Sequence, residues 1–180
     1  MIPKKIEEAF NDQVKYELES AYIYLSMSAW FATQGLDGMA RWMSAQTQEE
    51  LTHAMRFYKH IIERGGQVKL QPIAQPPLEW KSALDVFEAA YKHEQFITGR
   101  IDLLMKLSHE ENDFASRSLL QWFVDEQVEE EESTSRVAQQ LKLVGSDGRG
   151  VLMLDRELGQ RTFVLPPELA GLYAQAPAGA

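Results

Sequence analysis

The chain has 180 residues, a formal net charge of −9 and no cysteine. That length suits one domain with a sizeable core. The missing thiols exclude disulfide scaffolds, thiolate zinc sites and cysteine-ligated iron–sulfur clusters, and the acidic balance argues against nucleic acid as a partner while suiting cations.

The opening Met1 to Lys5 leads into no apolar run that could serve as a signal sequence or a membrane span, so the cytoplasm is the expected compartment and no membrane partner is expected. A first helical pattern runs from about Ile6 to Thr33, after Pro3 and before Gly35. Its inward row is Phe10, Val14, Glu17, Ala21, Tyr24, Ser28 and Phe31, and Glu17 interrupts it near the middle. A second pattern, about residues 38–65, has the row Met39, Met43, Gln46, Glu50, His53, Phe57 and Ile61. Glu50 and His53 stand three apart, so they share one helix face and can reach one ion.

Residues 67–83 carry Pro72, Pro76 and Pro77 and no helical period. A loop of that length in a compact domain needs a purpose. Extended chain at about 3.3 Å per residue can return along a helix of roughly 40 Å, which would set the third helix parallel to the second. The third pattern, about 83–108, has the expected row Leu84, Phe87, Tyr91, Glu94, Thr98, Ile101 and Met105. The fourth, about 114–143, has Leu120, Phe123, Gln127, Glu130, Thr134, Val137 and Leu141. A fifth, short segment at 151–158 is apolar and too short to be stable alone. It is expected to bury its surface somewhere other than its own closed bundle. Residues 165–180, rich in proline and alanine, read as a partly ordered tail. The expected organisation is a domain over residues 1–164 followed by that tail.

Each of the four long helices thus carries a polar break near mid-length: Glu17, then Glu50 with His53, then Glu94, then Gln127 with Glu130. Buried carboxylates at one level cannot all stay charged without cations. Carboxylate-rich sites with an imidazole suit iron or manganese. A Glu from each of two helices plus Glu-x-x-His from the others is the di-iron carboxylate scheme of four-helix bundles. Here Gln127-x-x-Glu130 replaces the second Glu-x-x-His, so two metal positions should be unequal. The bland alternative is a core whose polar residues pair with one another. Glu49, Glu126 and Glu129 lie on the adjoining face, where a charge run such as Glu129 to Glu132 is ordinarily solvated.

The helix order, the crossover, the short fifth helix and the set Glu17, Tyr24, Glu50, His53, Glu94, Gln127 and Glu130 resemble non-haem ferritin of the bacterial and archaeal type. The resemblance covers Ile6 to about Val164. It implies an all-α fold, a four-helix bundle with one long crossover and a short fifth C-terminal helix. It also implies a homo-oligomeric shell of 24 subunits, oxidation of Fe(II) by O2 or H2O2 at a di-iron ferroxidase centre, and storage of ferric mineral. By that resemblance Glu17, Glu50 and His53 would hold one iron. Glu50 would bridge to a second iron, held by Glu94 and Glu130 with Gln127 close by. Tyr24 would sit beside the pair, able to supply an electron. Trp122, one residue before Phe123, reads as a core or interface residue, with a share in that redox role as the alternative. Glu49, Glu126 and Glu129, with Glu130 shared, would form a third iron site. In ferritins the fifth helix meets its symmetry mates at a fourfold axis.

Rivals on the same scaffold are a rubrerythrin, whose rubredoxin part needs four cysteines, and a DNA-protecting mini-ferritin, which lacks a helix after the bundle. A cage subunit that does not oxidise iron should show a broken ligand set. Haem is not expected, because haem-binding relatives carry Met directly after the Glu of the second helix, where this chain has Leu51.

Overall fold

The computed structural model describes residues 1–173. Four long helices form an all-helical bundle: α1 (Lys4–Thr33), α2 (Asp37–Glu63), α3 (Ala83–Glu110) and α4 (Phe114–Val144). They are followed by α5 (Gly148–Leu158), a 3-10 turn (Pro167–Leu169) and a single helical turn, α6 (Ala170–Tyr173). Tight turns join α1 to α2 and α3 to α4. Gly35 and Asn112 adopt positive φ there, at 72° and 55°, as helix C-termini ending in a left-handed residue require.

The crossover between α2 and α3 lies along α1. The Asn11 amide donates to the Gln67 carbonyl at 3.0 Å and its oxygen accepts from the Lys69 amide at 2.6 Å. Gln71 donates to Asp12, and farther on Ser26 donates to the Pro77 carbonyl. Residues 67 to 77 therefore climb α1 in its own direction. This returns the chain to the end of the bundle where α2 began and sets α3 parallel to α2.

The expected inward rows of α1, α2 and α4 are buried throughout. The α3 row needs correction. Its buried positions are Val86, Phe87, Ala90, Glu94, Ile97, Ile101, Leu104 and Ser108, while Leu84, Tyr91, Thr98 and Met105 are only half-buried. Both flanks of the Phe87–Glu94–Ile101 line are apolar in sequence. Packing against the neighbouring helices, not periodicity, selects the flank carrying Ala90, Ile97 and Leu104. The core is in two parts. One holds Met27, Phe31, Met43, Phe87 and Leu141, the other Phe10, Phe57, Ile97, Ile101 and Phe123. The polar breaks fall between them.

The fifth helix departs from expectation in two ways. It starts at Gly148, not residue 151, because the Asp147 carboxylate caps it by accepting from the Arg149 amide at 3.1 Å. It also docks on its own bundle. Leu154 is buried in the core, and Asp155 accepts from the Met39 amide at 2.8 Å, satisfying a free donor at the start of α2. Only Leu152 and Met153 remain as exposed apolar surface. The docking depends on Gly38, where a Cβ would lie 1.7 Å from the Asp155 carbonyl oxygen. Since that contact is backbone, Gly38→Ala must push α5 away. We expect a loss of about 1–3 kcal/mol in chemical denaturation with faster proteolysis near residues 145–160. Unchanged stability would mean that α5 is not held by this contact.

The segment read as a tail is structured at its start. Leu169 is buried, and Glu168 accepts from both Arg56 (through its carboxylate) and Lys59 (through its carbonyl) on α2. The ion pair was not legible because its partners are 112 residues apart. The end of the Pro/Ala-rich stretch, residues 174–180, lies outside the described residues.

Candidate metal centre

Between the two apolar halves, α1 contributes Glu17 and Tyr24, α2 Glu50 and His53, α3 Glu94, and α4 Gln127 and Glu130. All seven are 4% exposed or less. The backbone of each helix is satisfied internally, so the side chains alone must resolve their charges. Oxygen or nitrogen atoms of Glu17, Glu50 and His53 lie within 4.8 Å of one another, as do those of His53, Glu126 and Glu130. The two groups share the His53 ring. Its Nδ1 is 3.4 Å from Glu50 and its Nε2 is 3.5 Å from Glu126. The ring lies edge-on to Trp122 and Phe123, with centroids 5.5 and 5.8 Å away.

Glu94 is tied in from two sides. The Tyr24 hydroxyl donates to one of its oxygens, and the Gln127 amide donates to the other at 3.3 Å and to the Glu94 backbone carbonyl at 3.2 Å. Tyr24 therefore reaches the centre through Glu94. Gln127 also reaches Thr98, at 3.3 Å.

Two glutamines outside the expected site complete the cage. The Gln13 amide donates to Glu17 at 2.9 Å, and the Gln46 amide donates to Glu50 at 3.1 Å and to Glu130 at 2.7 Å. A sequence signal for both exists. Gln13-x-x-x-Glu17 and Gln46-x-x-x-Glu50 repeat one i, i+4 spacing ahead of an inward Glu, the spacing at which such pairs meet on a helix.

These donors are too few for the charge enclosed. Among the described residues, Glu17 Oε2 is buried with no hydrogen-bond partner, as are the carbonyl oxygens of Gln13 and Gln46. Burial, followed by the Glu50 charge, pushes the Glu17 and Glu130 carboxyls up to about 8. Glu94 is raised by the same two causes in the same order. Burial alone would lower His53, but the Glu50 charge and the contacts to Glu126 and Glu50 outweigh it and hold the imidazole well above its usual range. Tyr24 is raised by burial and by Glu94. Without a cation, then, the centre is neutralised by retained protons. An oxygen-rich donor set with one imidazole and an orphaned carboxylate oxygen fits hard or borderline divalent ions such as Fe(II).

On the flank facing out of the bundle, Glu49, Glu126, Glu129, Glu130 and Glu132 line a cavity of about 400 Å³ with Ser133, Arg136 and Arg161. Glu129 thus shares a cavity with Glu49 and Glu126, and the buried Glu130 joins that cavity to the inner group. Sequence reading missed Arg161. It follows α5, and its guanidinium pairs with Glu49 and lies 4.3 Å over the Trp42 ring. No motif marks it, since its partner is 112 residues away.

The chain is similar to known proteins both in sequence and in fold. A bacterial non-heme ferritin of Bacteroides fragilis is 38% identical over 161 residues, 89% of this chain and 100% of that protein. A probable bacterial non-heme ferritin-like protein of Haemophilus influenzae is 36% identical over 159 residues, 88% of this chain and 96% of that protein. The structure of an open pore ferritin from the hyperthermophilic archaeon Archaeoglobus fulgidus superposes with a TM-score of 0.89 at 47% identity, covering 90% of this chain and 100% of that one. The family model for ferritin, described as a ferritin-like domain, matches residues 7–144, and the chain belongs to the ferritin family.

Proposed function

We propose that this iron-storage protein oxidises its Fe(II) cargo at paired sites inside each bundle, with Glu17, Glu50, His53, Glu94 and Glu130 as ligands. The observation that carries the reading is the gathering of Glu17, Glu50, His53, Glu94 and Glu130 inside the bundle, each 4% exposed or less, with donor atoms of Glu17, Glu50 and His53 within 4.8 Å of one another. Glu50 lies beside His53 and is bound by the same Gln46 amide that binds Glu130. It is therefore the carboxylate placed to serve both ions. Tyr24 and Gln127 orient Glu94 by hydrogen bonds, and Tyr24 is close enough to supply an electron. Glu49, Glu126 and Glu129, with Glu130 shared, form a third iron site on the outer side.

Two Fe(II) held together supply the two electrons that reduce O2, with two protons, to H2O2; if H2O2 is the oxidant, the same electrons and two protons give two waters. The protein excludes bulk water from the centre by burial. Chains assemble into a closed shell, with 24 subunits as the family resemblance implies, and the ferric product collects inside. Among the described residues no helix is long and apolar enough to cross a membrane, and a cytoplasmic location accords with that.

The test mixes ion-free protein with Fe(II) under O2 in a stopped-flow cell and sizes the particle by light scattering. A fast ferric phase saturating at about two Fe(II) per chain and a hollow particle far larger than a dimer are expected. Oxidation no faster than in buffer would refute the ferroxidase reading, and a dimer would refute the shell.

A further inference from the structure

We propose that Arg161 is a tethered counter-ion of the outer acidic cavity, one that a metal ion must displace from Glu49 before it can bind there. This deepens the third-site reading above and rests on it. After α5 the chain turns back along α2: Gly159 packs at Gly38, Arg161 reaches Trp42 and Glu49, and Glu168 reaches Arg56 and Lys59. The segment is thus latched on both sides of Arg161, by α5 docking before it and by Leu169 and Glu168 after it. The guanidinium is held at the cavity while the backbone that carries it stays in place.

The charge inventory explains what it does there. Five carboxylates line the cavity and two arginines face them. Arg136 sits at the rim, 3.5 Å from Glu132, with both side chains about 60% exposed (62% and 60%). Arg161 is deeper, at 23% exposure, against a Glu49 side chain at 25%. Its Nη1 is buried with no hydrogen-bond partner among the described residues. A guanidinium seated for structure alone would ordinarily spend its donors in a fork on one carboxylate. Here one terminal nitrogen holds Glu49, the planar face rests on Trp42, and the other nitrogen is unspent. The group occupies the position of a cation without closing the site. Glu49 cannot give an oxygen to a metal at full strength while it holds Arg161, so the outer site is weakened against any ion. Of the inner ligands, Glu17, Glu50 and Glu94 make no hydrogen bond or ion pair with Arg161, and only the shared Glu130 feels its charge.

Zn(II), which has no redox chemistry, is titrated calorimetrically into ion-free full-length protein. The outer class is defined as the ions lost on Glu129→Gln. For Arg161→Gln the outer class should tighten about tenfold, the scale of removing one competing charge in a half-exposed site, while inner binding, which meets that charge only through Glu130, changes less. Arg161→Lys keeps a tethered cation and should remain within about threefold of the parent. An unchanged or weakened outer class in Arg161→Gln overturns the proposal while leaving the third site standing, and so does Arg161→Lys behaving like Arg161→Gln. If neither the parent nor Arg161→Gln binds any ion that Glu129→Gln removes, the third site and the proposal fall together.

Discussion

Replacing Glu50 with alanine should slow the fast phase of Fe(II) oxidation by about a hundredfold or more, a loss at or beyond that seen when a residue merely supporting a metal ligand is removed. Glu50 is the carboxylate that touches both halves of the centre, through His53 on one side and through the shared Gln46 amide toward Glu130 on the other. Without it two ions lose the group that keeps them paired, and one-electron oxidation of separate ions is slow. The variant should not be a folding mutant. The Glu50 charge is a leading cause of the raised Glu17, Glu94 and Glu130 carboxyls, so its removal relieves repulsion in the ion-free protein. Its thermal midpoint without metal is expected to be no lower than the parent's. Parental initial rates of ferric absorbance would show that the centre lies elsewhere. His53→Ala should be nearly as severe, since it removes the imidazole that joins the two donor groups.

The second large effect is a stability that depends on pH and metal together. Glu17 and Glu130 stand at about 8 in the folded, ion-free protein against an ordinary 4.5, and Glu94 and His53 are also raised. A raised folded-state value means that the native state holds its proton more tightly than the unfolded chain. The contribution is therefore full below the unfolded value and is lost as pH rises through the folded one. Ion-free protein should accordingly melt at progressively lower temperature between pH 5 and pH 8. A divalent cation takes the place of those protons, so binding releases them and strengthens over the same range. At a thousandfold excess over the dissociation constant, each such site adds about 4 kcal/mol. Zn(II) should thus raise the melting temperature strongly at pH 8 and little at pH 5. Scanning calorimetry at the two pH values, with and without Zn(II), decides this. An ion-free melting temperature that rises from pH 5 to pH 8 would contradict the charge arrangement described here.

The buried acids of the candidate site were legible because burial of a carboxylate is expensive enough to stand out. One Glu on an inward row says little, but Glu17, Glu50, Glu94 and Glu130 at matching depth in four helices leave few explanations. Gln13 and Gln46 were also within reach, at the i, i+4 spacing they share ahead of Glu17 and Glu50, yet an amide on an inward row costs less to bury and attracts less notice. The α3 row went astray where both flanks were apolar. Periodicity gives a stripe about 100° wide or more, and only the partner helices choose its edge.

From sequence alone, helical period and polar interruption determined the all-helical bundle, its long crossover and the identity of the buried acids, because both are local consequences of spacing and of the cost of desolvating charge. Tertiary structure decided what depends on the meeting of distant segments. It placed α5 on the start of α2 through Asp155 and Gly38, joined His53 to Glu126, and laid the stretch after α5 along α2. That path brings Arg161 to Glu49. No periodicity encodes such a contact, since it arises only when the packed bundle presents the carboxylates and the returning chain happens to pass within reach of them.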